Sequence, residues 1–138
     1  MDTLQPLFDK ALTRLSESGF NSLSEPDRVL ATIWGLEGDV NNGGFDQYYF
    51  NSSGDLARYA PTALDLIGAT QMGNIVKRAN ALFGPSGPSP DRFAREEQLF
   101  ALTNRFSTWD ELDRAFYAYP DDISKLLSAY LRLHGYDA

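Results

Sequence analysis

Cysteine is absent from this 138-residue chain, histidine occurs once, and basic residues are outnumbered by acidic ones, 12 to 19. Each shortage removes a class of function. Without cysteine there is no disulfide, no thiol nucleophile and no thiolate metal site. The one imidazole, His134, sits beside Gly135 at the end of a helical pattern. A cation is favoured there by the helix dipole, so its reading is structural, and Cys-His or Ser-His-Asp machinery has little to stand on. The net charge of −7 speaks against direct grip on nucleic acid or an anionic membrane, both of which need clustered Lys and Arg. No run approaches the roughly 18 apolar residues that cross a bilayer. The opening MDTLQPLFDK lacks the basic start and apolar core of a secretory signal, and the expectation is a cytoplasmic protein.

Strand alternation is also missing, and what is present is helical. Leu4, Leu7, Phe8, Ala11, Leu12 and Leu15 recur at three- and four-residue spacing until Gly19 stops them. Ser24 with Asp27 predicts a capping box opening a helix with Val29, Leu30, Ile33 and Trp34 inward. A short helix follows the Asn41-Asn42-Gly43-Gly44 corner and ends at Asn51-Ser52-Ser53-Gly54. Pro61 opens another, and Met72, Ile75, Val76, Ala79, Leu82 and Phe83 form a clear repeat. Gly84 to Pro90, GPSGPSP, reads as an exposed loop inside one domain spanning 1–138. Beyond it, Phe93, Leu99, Phe100, Thr103 and Phe106 form a stripe, and Thr108 with Glu111 predicts a second capping box. Asp121 and Asp122 start a last helix carrying Ile123, Leu126, Leu127, Tyr130 and Leu133. The pattern predicts an all-α, compact single-domain bundle of about seven or eight short helices.

The stretch from Asp39 to Asp55, DVNNGGFDQYYFNSSGD, concentrates special residues. Read as a calcium loop from Asp39, it places Phe50 at the twelfth position, where a bidentate glutamate is required, so no metal is expected. Its glycines, like those of GPSGPSP, match neither a P-loop nor a dinucleotide fingerprint, and no cofactor is expected. No catalytic constellation is recognisable, and the chain reads as a non-enzyme. Tyr48, Tyr49 and Phe50 each advance about 100° around a helix, so one or two of these rings should reach the surface; the simplest reading wedges them between helices with hydroxyls in water. Asn41, Asn42, Gly43 and Gly44 suit positive φ, with Phe45 and Tyr48 anchoring the corner in the core. A groove for a peptide or small ligand is the alternative.

The acid is unevenly spread. Glu25 to Asp65 holds seven acids against Arg28 and Arg58, and Asp110 to Asp122 holds five against Arg114. Stacked helices would merge these stretches into one face. Its candidate residues are Glu37, Asp39, Asp46, Asp110, Glu111, Asp113, Asp121 and Asp122.

Glu37 to Gly54, EGDVNNGGFDQYYFNSSG, resembles the signature of a bacterial family of small helical proteins named after its DNA-mimic member. The Trp34 helix before it and YAPTALDLIGA after it extend the resemblance over residues 20 to 135. It implies an all-α bundle that binds the DNA-reading surface of a helix-turn-helix transcription factor as a homodimer. Carboxylates one helix turn apart, about 5–6 Å, approximate part of a phosphate row. The signature itself (Asn41, Asn42, Gly43, Gly44, Phe45, Gln47, Tyr48 and Asn51) is almost uncharged and cannot be the mimic surface. The partner expected is therefore a basic DNA-binding protein engaged by the acidic face. The alternative is a peptide- or small-ligand module at the NNGGF corner, with the acid serving solubility only.

Overall fold

The computed structural model describes residues 4–102 and 104–136, and among these it is all helical, with seven α-helices and two short 3-10 turns. In order they are α1 (Gln5–Ser18), α2 (Glu25–Phe50), α3 (Ala60–Leu66), α4 (Thr70–Ala81), α5 (Arg92–Phe100), α6 (Arg105–Tyr117) and α7 (Ile123–Leu133). Thr103 of the predicted stripe lies outside the described residues. No helix among them is long and apolar enough to cross a membrane.

The long α2 organises the rest. Ser24 caps it, accepting from the Asp27 N–H at 3.3 Å, and Val29, Leu30, Ile33, Leu36 and Val40 are fully buried. Asp27 is itself buried and takes the Arg14 guanidinium of α1 at 2.9 Å. A buried carboxylate needs such a partner, and Arg14 ties the two helices together. The aromatic centre lies between α2 and α6, where Phe45 packs 5.9 Å from Trp109 and 5.8 Å from Phe116, centroid to centroid. Offset and edge-on pairs at this distance add to the area they bury.

α2 breaks at the NNGG corner, with non-helical backbone at Gly43 and Gly44, and the short helix expected beyond the corner runs to Phe50 and ends at Asn51. Several other expectations need correction. Asn41 and Asn42 keep helical backbone, and only Gly44 of the four has a positive φ, +76°. Trp34 is 40% exposed instead of buried. Thr108 does not open a helix: α6 begins at Arg105, and the Thr108 hydroxyl donates back to the Asn104 carbonyl. Leu99 of the predicted Phe93–Phe106 stripe is buried, but α5 turns Arg95 inward beside it and leaves Phe93 and Phe100 exposed, and Phe106, at the start of α6, is exposed too. Leu82 and Leu133 are exposed as well, past or at the ends of their helices. Asp122 does cap α7, accepting from the Lys125 N–H at 3.1 Å.

Candidate protein-docking site at the kink of the long helix

The kink is built by two glycines and filled by α6. Gly44 has φ +76° and ψ −177°, a region essentially restricted to glycine. A Cβ there would collide with the Asp113 carboxylate, which occupies the space. Asp113 Oδ1 accepts the Phe45 N–H at 2.8 Å, so it caps the second half of α2 from another helix. In an unbroken helix the Val40 carbonyl would accept from Gly44; here the Tyr117 hydroxyl donates to it at 2.9 Å. The Tyr119 hydroxyl donates to Glu37 at 2.6 Å and accepts from the Asn41 amide at 2.8 Å. Burial first, then donation to Glu37, pushes the Tyr119 hydroxyl up to about 12.

The remaining signature side chains close the corner from inside. Gln47 donates to Asp39 at 2.9 Å, Asn51 donates to the same Asp39 oxygen at 3.1 Å, and Asn42 donates to Gln47 at 3.2 Å. Tyr48 and Tyr49 are both fully buried and only Phe50 reaches the surface. Their hydroxyls do not reach water. Tyr49 donates to Asn80 at 2.7 Å, while Tyr48 has no hydrogen-bond partner among the described residues, and burial holds its ionisation well above the ordinary range.

One essential group of this region escaped the sequence reading. Arg95 is fully buried, and its guanidinium donates to the carbonyls of Tyr49, Asn51 and Ser89 at 2.7–2.9 Å and to Asp55 at 2.9 Å. It thus satisfies carbonyls left open at the end of α2. Gly54 is glycine because a Cβ would meet the Tyr48 carbonyl and this guanidinium. An arginine in an exposed-looking RFAREEQ pattern carries no signal for such burial; the unsatisfied end of a long helix would have been the only clue.

The eight proposed acidic-face residues fall into separate groups. Asp46, Asp110 and Asp113 come together where α2 meets α6, and there the two acidic stretches of the sequence join. The Asp113 carboxyl is pushed up by desolvation, opposed by the Phe45 N–H, and pushed up further by the charges of Asp110 and Asp46. Asp110 also lies 3.6 Å from Arg114, and Glu111 is paired with Arg78 of α4 at 3.0 Å. Asp39 is held within the corner, and Glu37 borders it through Tyr119. Asp121 and Asp122 belong elsewhere: Asp121 accepts the Met72 N–H of α4 at 2.9 Å, and Asp122 caps α7.

Beside Asn41 the surface opens into a cavity of about 330 Å³ between α1, α2 and α7. Leu4, Phe8 and Leu127 form its apolar wall, and Trp34, Glu37 and Asn41 face it from α2. Gly38 lies on the same stretch of helix, and a Cβ there would meet none of the described residues within 4 Å.

The class so defined is a small all-α protein with a kinked central helix, an acidic junction and one side-chain-sized cavity beside it. The family model described as DMP19-like protein matches residues 21–134, and the chain belongs to that family. No curated protein and no solved structure matches the chain at a significant level.

Proposed function

We propose that this chain is a non-enzymatic regulator that binds a basic DNA-binding protein, of the helix-turn-helix kind, and imitates DNA with its acidic surface. The observation that supports it is the meeting of the two acidic stretches at Asp46, Asp110 and Asp113, on a chain of the DMP19-like family. Asp110 and Asp113 stand three residues apart on α6, about 5–6 Å for such neighbours, and Asp46 adds a third charge from α2. Glu37 extends the acid along α2, and Asp113 adds its charge to the junction while also capping the kink; Asp39, Asp121 and Asp122 are spent on bonds away from that junction and leave the mimic set.

Capture from host lysate at low salt, with stepwise salt elution and competition by the captured regulator's own operator DNA, tests this reading. The complex should dissociate at moderate salt, because charge-driven contacts are screened. Replacing Asp46, Asp110 and Asp113 together by asparagine should weaken it by roughly tenfold or more, about 1.4 kcal/mol per decade. Binding that is indifferent to both salt and operator DNA would sink the reading. The cavity beside Asn41 favours a second one, a peptide- or small-ligand module in which the acid serves solubility.

A further inference from the structure

The tract from Gly84 to Pro90, GPSGPSP, is given its shape by side chains from outside it. The Gly87 N–H closes a four-residue turn on the Gly84 carbonyl at 3.0 Å, with Pro85 and Ser86 at its tip. The next four carbonyls, Gly87 to Pro90, are all taken: by Gln98 at 3.3 Å, by Arg58 at 2.8 Å, and by Arg95 at 2.9 and 3.4 Å. The Ser89 N–H donates in turn to Gln98 at 2.8 Å. Set in this way, the turn and the end of α4 enclose a cavity of about 550 Å³. Small-ligand sites run from roughly 300 to 1,000 Å³.

The chemistry of the walls specifies the ligand. Arg58 is the one ionisable group among the described residues that line the cavity. Arg14, Arg78, Arg92, Arg95 and Arg114 each lie within 4.0 Å of a carboxylate. Arg58 has no such partner among the described residues, although acids outnumber bases 19 to 12. Its Nε–H is spent on the Pro88 carbonyl, which fixes the side chain and leaves the two terminal amino groups of the fork to donate outward. Asn80 offers nothing further, since it accepts from Tyr49 and donates to the Ala57 carbonyl. Ser86 adds an exposed hydroxyl at the tip, and Ala81, Pro85 and Pro88 supply apolar wall. A fixed guanidinium matches a planar carboxylate with two parallel bonds, and the ordering of the arginine is done before the ligand arrives. A phosphate group brings up to two charges against one arginine and fits less well.

We propose that the cavity between Arg58 and the GPSGPSP turn is a binding site for a small organic monocarboxylate. The Arg58 guanidinium forks onto the carboxylate, and Pro85 and Pro88 lie against its apolar body. The site shares no residue with the junction of Asp46, Asp110 and Asp113 and stands or falls apart from DNA mimicry.

The test uses the isolated chain with sodium benzoate as probe, followed by backbone amide signals in NMR. Those of Ser86 and Gly87 should shift and saturate in the low-millimolar range. Benzamide, of the same shape without the charge, should bind at least tenfold more weakly. Arg58→Gln should abolish the saturable shift with little change in melting temperature, because the side chain is exposed. Ala81→Glu, at an exposed position ending α4, gives Arg58 a carboxylate of the chain's own and should weaken benzoate by about tenfold with Arg58 intact. The absence of a saturable shift, or equal binding of benzamide and benzoate, would overturn the site. Benzoate binding that survives both variants would do so too, and tighter binding of inorganic phosphate would overturn the carboxylate assignment.

Discussion

Gly44 and Gly38 lie less than two turns apart on one helix and do opposite things. At Gly44 the missing side chain is replaced by another part of the molecule: the Asp113 carboxylate enters the space and holds the Phe45 N–H. At Gly38 the space is open, and none of the described residues comes within 4 Å of where a Cβ would be. The first glycine serves the fold, through a backbone conformation no other residue adopts cheaply. The second has neither reason among the described residues: its backbone is helical and the space beside it is open. Identical residues in one sequence motif thus divide into an internal joint and an external recess.

The contrast can be broken most forcefully at the joint. Gly44→Ala forces a side chain into a glycine-only conformation and against Asp113, so unfolding stability should fall by about 3 kcal/mol. Chemical denaturation measures it, and a loss within error would mean the kink relaxes freely. A smaller effect is expected at the cap. Asp113→Ala should lose about 1 kcal/mol, the usual scale of an N-terminal cap, while Asp113→Asn keeps an acceptor for Phe45. The asparagine variant also carries a pH signature. Burial raises the Asp113 carboxyl above its ordinary 3.8 in the folded state, so the unfolded chain ionises first. Wild-type stability is therefore lost relative to Asp113→Asn as pH climbs from below 3.8 through the raised value, and the gap stays constant above it. Parallel pH profiles for the two proteins would refute a strained carboxyl. The smallest effect runs the other way: Gly38→Ala should gain about 0.5–1 kcal/mol, since the new methyl touches nothing and the helix loses a flexible residue. A destabilised variant would show that the recess is part of the packing.

What could be read without coordinates was the part written in periodicity. The inward faces of α1 and α4 follow from apolar spacing, as does the Asp122 cap, because each depends on residues three or four apart. The larger failures involve partners distant in sequence. Trp34 has the spacing of a core residue but is left half out by the cavity beneath it. Phe93 and Phe100 have that spacing too, yet Arg95 takes the inward face because the end of α2, over forty residues earlier, leaves carbonyls for it to bind. The corner was legible as special. That its asparagines remain helical and bond to Tyr119 and Gln47, while α6 completes the bend, was not. Likewise the acidic residues were countable, but which of them face one another depends on how α6 crosses α2.

Arg95 has a consequence for how the molecule comes apart. The inward face of α5 is little more than this arginine and Leu99, so the helix is held by directed polar bonds and not by a broad greasy surface. Lifting it strands the carbonyls of Tyr49 and Asn51 and also those of Ser89 and Pro90, which Arg95 reaches from the other side. None of these segments can swing away alone without uncovering the others. The glycine- and proline-rich stretch before α5, by composition the loosest in the chain, is therefore clamped at its far end. It should exchange its amide hydrogens in step with α5 and the tail of α2, as one latch that is either shut or sprung.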